Sequence, residues 1–197
     1  MRLTIQTNFP QVQRALDNLR EEVAAKAAAR AVNATIAQAK TEISRQIRQE
    51  YVVDARFVRE RLRIKRATFF KGVLAIEAVL SADEKPRSAN LIRFAAKRTK
   101  AGVSVKVKRA GARKVVRGAF IGNKGRTVFE RVPGTKMPSR KWGKTHGEQI
   151  KPVQTIDVPQ MFNARRINAA VVAAMRAKFP PIFERELAYA LASFNRG

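Results

Sequence analysis

The apolar positions fall into three stretches of different period. Val12, Leu16, Leu19, Val23 and Ala27 recur at spacings of three and four, the period of one helix face. Val32, Ile36, Ile43 and Ile47 continue that stripe, and no Pro or Gly interrupts residues 11–50. Asn8 and Pro10 supply start signals just upstream. The pattern predicts one long helix or two nearly collinear ones. The segment AAKAAARA (24–31) favours helix by propensity and permits close packing. So many alanines suit packing on a sheet or a neighbour better than a coiled-coil seam.

VVDARFVRERL (52–62) opens a short second helix, with Asp54 as its cap and Val53 facing Val58 as a hydrophobic staple. The period then changes. GVLAIEAVLSAD (72–83), β-branched and bounded by turn residues, predicts a strand. In SVKVKR (104–109), Val103, Val105 and Val107 point one way and Ser104, Lys106 and Lys108 the other, which predicts a half-buried strand with a wet, cationic face. KVVRGAFIGNKGRTVFERV (114–132) reads as a hairpin with arms near 114–121 and 127–132 around the turn IGNKGR. Residues 133–158, rich in Gly, Pro, Ser and Thr, predict an extended loop with one short strand near Ile150 to Val153.

From Pro159 the helical period returns through Ile167, Val171, Met175, Phe179, Phe183, Leu187, Leu191 and Phe194. Pro180 and Pro181 predict a kink or break near Phe179. Helices, then strands, then helices argue an α+β fold: a long N-terminal helix, an antiparallel sheet with a β-hairpin, and a C-terminal amphipathic helix. The 197 residues fit a single domain, divided into N-terminal helices (1–66), sheet and hairpin (67–132), an extended basic loop (133–158) and C-terminal helices (159–197).

Charge changes the picture most. Forty-one Lys and Arg against 15 acids give +26, a balance that repels copies of the chain and attracts polyanions or acidic proteins. Between Lys97 and Lys144 lie sixteen basic residues and one acid, Glu130, so a quarter of the chain carries more than half of the excess. Lys106, Lys108, Arg109, Arg113, Lys114 and Arg117 are candidate contacts for DNA or for acidic partners. So are Lys124 and Arg126 at the hairpin turn, and Arg140, Lys141 and Lys144 in the loop. Sequence readout is not supported: helix-turn-helix spacing, zinc ligands and RNP-type aromatics are missing, and two Tyr and one Trp leave little for base stacking. Contact with a phosphate backbone is the form this charge permits.

Catalytic chemistry finds no constellation. His146 is the lone histidine, in the loop KTHGE, where Glu148 could orient it as a base, but such a residue reads first as an exposed loop histidine. Glu21–Glu22 and Glu184 with Glu186 lie in amphipathic helices beside basic residues, and Asp83–Glu84 precedes Pro86 where turn chemistry explains it. GNKG lacks the spacing of a phosphate loop, and no metal set or nucleophile elbow is present. No enzyme and no cofactor is expected. The absence of cysteine excludes disulfides and thiolate metal sites and suits a reducing cytoplasm. No apolar run reaches bilayer length and the N-terminus lacks a signal-peptide core, so the chain reads as soluble and unexported, with no membrane partner.

Two motifs together carry a resemblance. One is GAFI, a glycine turn, then VFERV; the other, some thirty residues on, is VPQMF leading into a C-terminal amphipathic helix. With the long N-terminal helix and YVVDARFVRERLRIKRA, this order resembles the prophage minor tail protein Z family of tailed phages over about residues 10–192. One departure is local: family loops before the VPQMF-like motif often end in a Gly-Pro-Ser type turn, where this chain has QTID.

The resemblance implies a virion protein that completes the head-proximal end of a long non-contractile tail, assembled in the host cytoplasm and needed for head-tail joining and DNA passage. It implies rings, commonly sixfold, and the tube, terminator and tape-measure proteins and the head connector as partners. The apolar residues of the two motifs, Phe120, Ile121 and Phe129 with Met161 and Phe162, are then candidate subunit-interface positions. A ring around DNA can face it with unspecific, salt-sensitive cations. Strand edges that endanger a monomer are covered by neighbours in a ring, provided the rotation between subunits closes. The alternative reading from charge alone is a cytoplasmic, sequence-unspecific nucleic-acid-binding protein.

Overall fold

The predicted N-terminal stripe is realised in helix α1 (Glu21–Glu50), whose Ala24, Ala27, Ala31, Val32, Ile36, Ile43 and Ile47 are buried. The computed structural model describes residues 2–6, 21–68, 77–82, 88–136 and 147–194. Asn8, Pro10, Val12, Leu16 and Leu19 lie outside the described residues, as do His146 and the loop cations Arg140, Lys141 and Lys144. The chain divides into two compact units: residues 1–47, 56–85 and 159–197, and residues 48–55 and 86–158.

In the first unit, helix α2 (Ala55–Arg61) passes directly into strand β2 (Leu62–Lys65). The staple residues Val53 and Val58 are both buried. Strand β3 (Glu77–Ala82) falls within the predicted 72–83 and lies between β2 and strand β1 (Arg2–Gln6) in an antiparallel sheet. Leu3 pairs with Leu80, Ile5 with Ala78 and Leu62 with Ala82. The alternation of β3 turns Ala78, Leu80 and Ala82 into the core. Neither β1 nor β2 was expected, because RLTIQ and LRIK alternate too briefly to stand out beside longer helical patterns. Asn33 on α1 fastens the chain after β2, donating to the Ala67 carbonyl at 2.9 Å and accepting the Ala67 N–H at 2.8 Å.

Helix α3 (Val158–Phe162) and helix α4 (Arg165–Phe194) complete this unit. Ile43 of α1 shares a small apolar cavity with Phe162, Ile167 and Val171, while the Arg30 guanidinium lies 5.5 Å over the Tyr189 ring. The two long helices therefore run antiparallel. Of the kink or break expected near Phe179, the break does not occur, since α4 runs through Pro180 and Pro181. Both prolines sit on the exposed side, as do Arg176 and Ala177, the residues whose carbonyls lose their i+4 donors to proline. Phe179 and Phe183 stack at 5.9 Å on the buried face and hold the helix together across the prolines.

Among the described residues, the second unit is built of small antiparallel sheets. Strands β5 (Lys97–Thr99), β6 (Gly102–Val105) and β7 (Lys114–Arg117) form one in that order. Strands β8 (Phe120–Gly122), β9 (Thr127–Arg131) and β10 (Ile150–Pro152) form another with β9 central. Strand β4 (Ala89–Asn90) pairs with strand β11 (Gln154–Thr155). The short strand expected near Ile150 is thus present. The expected hairpin is narrower than its sequence suggested. Its first arm divides at Gly118, where φ is +71°, so that β7 pairs with β6 and only β8 pairs with β9.

Candidate functional site

The basic run lies on the second unit, and the local structure sorts its cations into fixed and free. Arg113 is fixed: its Nε donates to the Ser104 hydroxyl at 3.0 Å, and its Nη2 donates to the carbonyls of Ser104, also at 3.0 Å, and Ala95. These bonds explain a departure from expectation. The strand of Val103 and Val105 ends at Val105, and Ser104 is buried rather than wet, its polar groups met by Arg113. Lys106 and Val107, past the strand end, are half-buried.

Arg109 is fixed too. Its side chain donates to the Arg48 carbonyl, and its N–H donates to the Glu50 carbonyl at 2.8 Å. The last carbonyls of α1, left without helical partners, are thereby capped by a cation where the helix dipole favours one. Val52 N–H to the Val107 carbonyl at 2.9 Å and a bridge between Tyr51 and Lys108 complete the seam. Burial and the neighbouring Glu50 push the Tyr51 phenol up from its ordinary value, so it stays neutral there.

Lys108, Lys114, Arg117, Lys124 and Arg126 are exposed and form the free set. Lys124 stands at the hairpin tip with φ +52°, next to Asn123 at +49°, in a left-handed turn closed by the Arg126 N–H on the Asn123 carbonyl at 3.1 Å. Glu130, the one acid of the run, binds Lys151 from β10 at 3.0 Å, so the run keeps nearly all of its positive charge for outside partners. Arg98, not singled out from sequence, donates to the Ile121 carbonyl at 3.1 Å and ties β5 to β8. Only tertiary pairing marks it among sixteen similar residues.

The five apolar candidates divide. Phe120 and Phe129 face each other across β8 and β9, stack at 5.9 Å and remain half-buried, with Arg131 placed 5.5 Å over the Phe120 ring. Ile121 is also half-buried. Met161 and Phe162, by contrast, are 0% and 2% exposed inside the first unit. A side chain enclosed by its own subunit cannot also meet a neighbour, so these two are core positions and leave the interface set. The QTID stretch that departs from the resembling pattern resolves into β11 and a buried Asp157, which accepts the Val158 N–H at 2.7 Å at the start of α3.

Among the described residues no group of three or more His, Asp or Glu could hold a metal, and no helix is long and apolar enough to cross a membrane. What the site offers is charge, strand edges and an aromatic pair. GAFI leads into β8, VFERV lies in and just past β9, and VPQMF forms α3 ahead of α4. A family model, that of the prophage minor tail protein Z (GPZ), matches residues 10–196, and the chain belongs to that family. The family is one of structural tail proteins and not of enzymes. No curated protein and no solved structure matches the chain.

Proposed function

We propose that the chain completes the head-proximal end of the tail, as a subunit of a closed ring through which DNA passes on its way to and from the head. The observation that carries this reading is the concentration of free cations on one unit of a tail protein, with Glu130, the one acid of residues 97–144, already engaged by Lys151. A ring on the DNA path gains from such a surface without reading sequence, because phosphates supply the opposite charge at every step. Lys108, Lys124 and Arg126 are among the exposed described positions that can meet it. Arg109 and Arg113 serve the fold first. The half-buried Phe120, Ile121 and Phe129 are the apolar positions left for contact with the next subunit.

Tube, terminator, tape-measure and head-connector proteins are the partners this role requires, and a sixfold ring would match a sixfold tube. A phage lacking the chain should make tails of normal length that join heads poorly or deliver DNA poorly. Normal infectivity of that phage would overturn the reading.

A further inference from the structure

The sheet edges of the second unit are not alike. The edge of β8 gives its Ile121 carbonyl to Arg98 at 3.1 Å. The edge of β10 contains Pro152, which has no N–H, and its Lys151 is held by Glu130. Strand β5 is three residues long and turns at once into β6, with the Thr99 hydroxyl donating to the Gly102 carbonyl at 2.9 Å. Strand β7 differs: among the described residues no strand pairs with its outer side.

Two observations orient its backbone. Gly118 N–H donates to the Ala101 carbonyl at 3.2 Å, and a Cβ on Gly102 would lie 2.1 Å from the Val116 oxygen. The Val116 carbonyl therefore faces β6. Antiparallel alternation then turns the N–H and C=O of Val115 and Arg117 outward. The side chains complete the edge: Val115 is 48% exposed, and Lys114 and Arg117 flank it, both exposed.

We propose that β7 is an acceptor edge for an extended acidic segment of another tail protein, in which carboxylates three residues apart meet Lys114 and Arg117 and a β-branched residue between them covers Val115. Charge selects this occupant. A second copy of β7 would bring another pair of exposed cations, its own Lys114 and Arg117, to the same edge, and such like charges repel. An acidic strand turns the same positions into opposite-charge pairs, covers Val115 and satisfies the outward backbone groups. Duplex DNA could reach the two cations and the outward amides with its phosphates, but the phosphate backbone offers no apolar cover to Val115 and no donor to the outward carbonyls. The proposal rests on the reading of the chain as a tail subunit.

The test uses the full chain and a synthetic peptide in which every third residue is Glu and the rest are Val. The peptide should slow amide exchange at Val115 and Arg117. Val115→Pro, which removes an outward N–H without touching the β6 ladder, should weaken binding by about tenfold, the scale of one lost hydrogen bond. Lys114→Glu with Arg117→Glu should abolish it, and retained protection of the buried Val128 amide would show that both variants are folded. Equal binding by Val115→Pro, equal binding of a Glu-Gly peptide of the same charge, protection of the same amides by duplex DNA, or dimerisation through this edge would each overturn the proposal. In the phage, Val115→Pro should leave less of the chain in purified tails. Full incorporation with full infectivity would reject the edge while leaving the tail role intact, whereas only the deletion phage bears on that role.

Discussion

Asn90 is a short polar residue that replaces a length of strand. Its Oδ1 accepts the N–H groups of Val128 at 2.8 Å and Ile92 at 3.1 Å, and its Nδ2 donates to the Val128 carbonyl at 3.0 Å. Asn90→Ala removes all three, but they are not equal. The Val128 carbonyl keeps a second donor, the Val153 N–H at 2.9 Å, and Ile92 is half-buried, so water can replace part of what it loses. Val128 itself is 0% exposed, and its N–H would be left without an acceptor. An orphaned buried donor costs about 1–3 kcal/mol and each of the two exchangeable bonds about 0.5–1.5 kcal/mol, so the variant should lose about 2–6 kcal/mol. Urea unfolding read by hydrogen exchange in the second unit measures the loss, and the Val128 amide should lose protection before its neighbours. A change below about 0.5 kcal/mol, the range of ordinary surface substitutions, would refute the assignment of Asn90 as a clamp.

Phe162→Ala should destabilise the isolated chain by about 3–5 kcal/mol, as loss of a buried ring does, when measured by denaturant unfolding. Phe120→Ala, which removes a half-buried ring, should cost less in the monomer and show its main effect in assembly. Lys124→Gly should raise stability by about 1 kcal/mol, since glycine adopts the left-handed turn without the Cβ penalty, and a chevron or melting comparison would detect it. The Glu42 carboxyl is held below its ordinary value of 4.5, first by hydrogen bonds from Arg45, at 2.6 Å and 3.1 Å, and then by one from Gln46 at 2.8 Å. Because the folded value is depressed, its contribution is present above about pH 4.5 and is lost as pH falls through the folded value. Glu42→Gln should therefore lose less stability than the parent between pH 5 and pH 3, about the range where carboxylates titrate.

The long elements were legible because their signal is local and repeated. Eight or nine apolar positions on one face leave little choice of period, and the alanines of α1 and the branched and aromatic residues of α4 specify helices that need each other's apolar faces. The prolines of α4 misled in one respect. Their cost depends on whether the freed carbonyls reach water, and that follows from which face the prolines occupy. The hairpin misled in another. Lys114 to Ile121 reads as one arm because every residue suits a strand, yet Gly118 lets the chain leave one sheet and enter the next. Strand pairing is a choice among distant partners, and no local pattern in β7 names β6 rather than β9.

The candidate site was legible as charge and not as geometry. Sixteen cations in one run announce a basic surface, but which are spent inside the fold depends on acceptors far away in sequence: Arg109 on the end of α1, Arg113 on Ser104 and Ala95, Arg98 on Ile121. Met161 and Phe162 show the same limit for apolar residues, since a core position and an interface position have the same composition. What the amino-acid order alone determined is the α+β class, the two long helices, the basic character of the middle and the resemblance in motif order, all of which depend on neighbours along the chain. What the tertiary structure decided is which cations remain free, which strands are edges and which apolar residues are enclosed, because burial and pairing are relations between segments that only folding brings together.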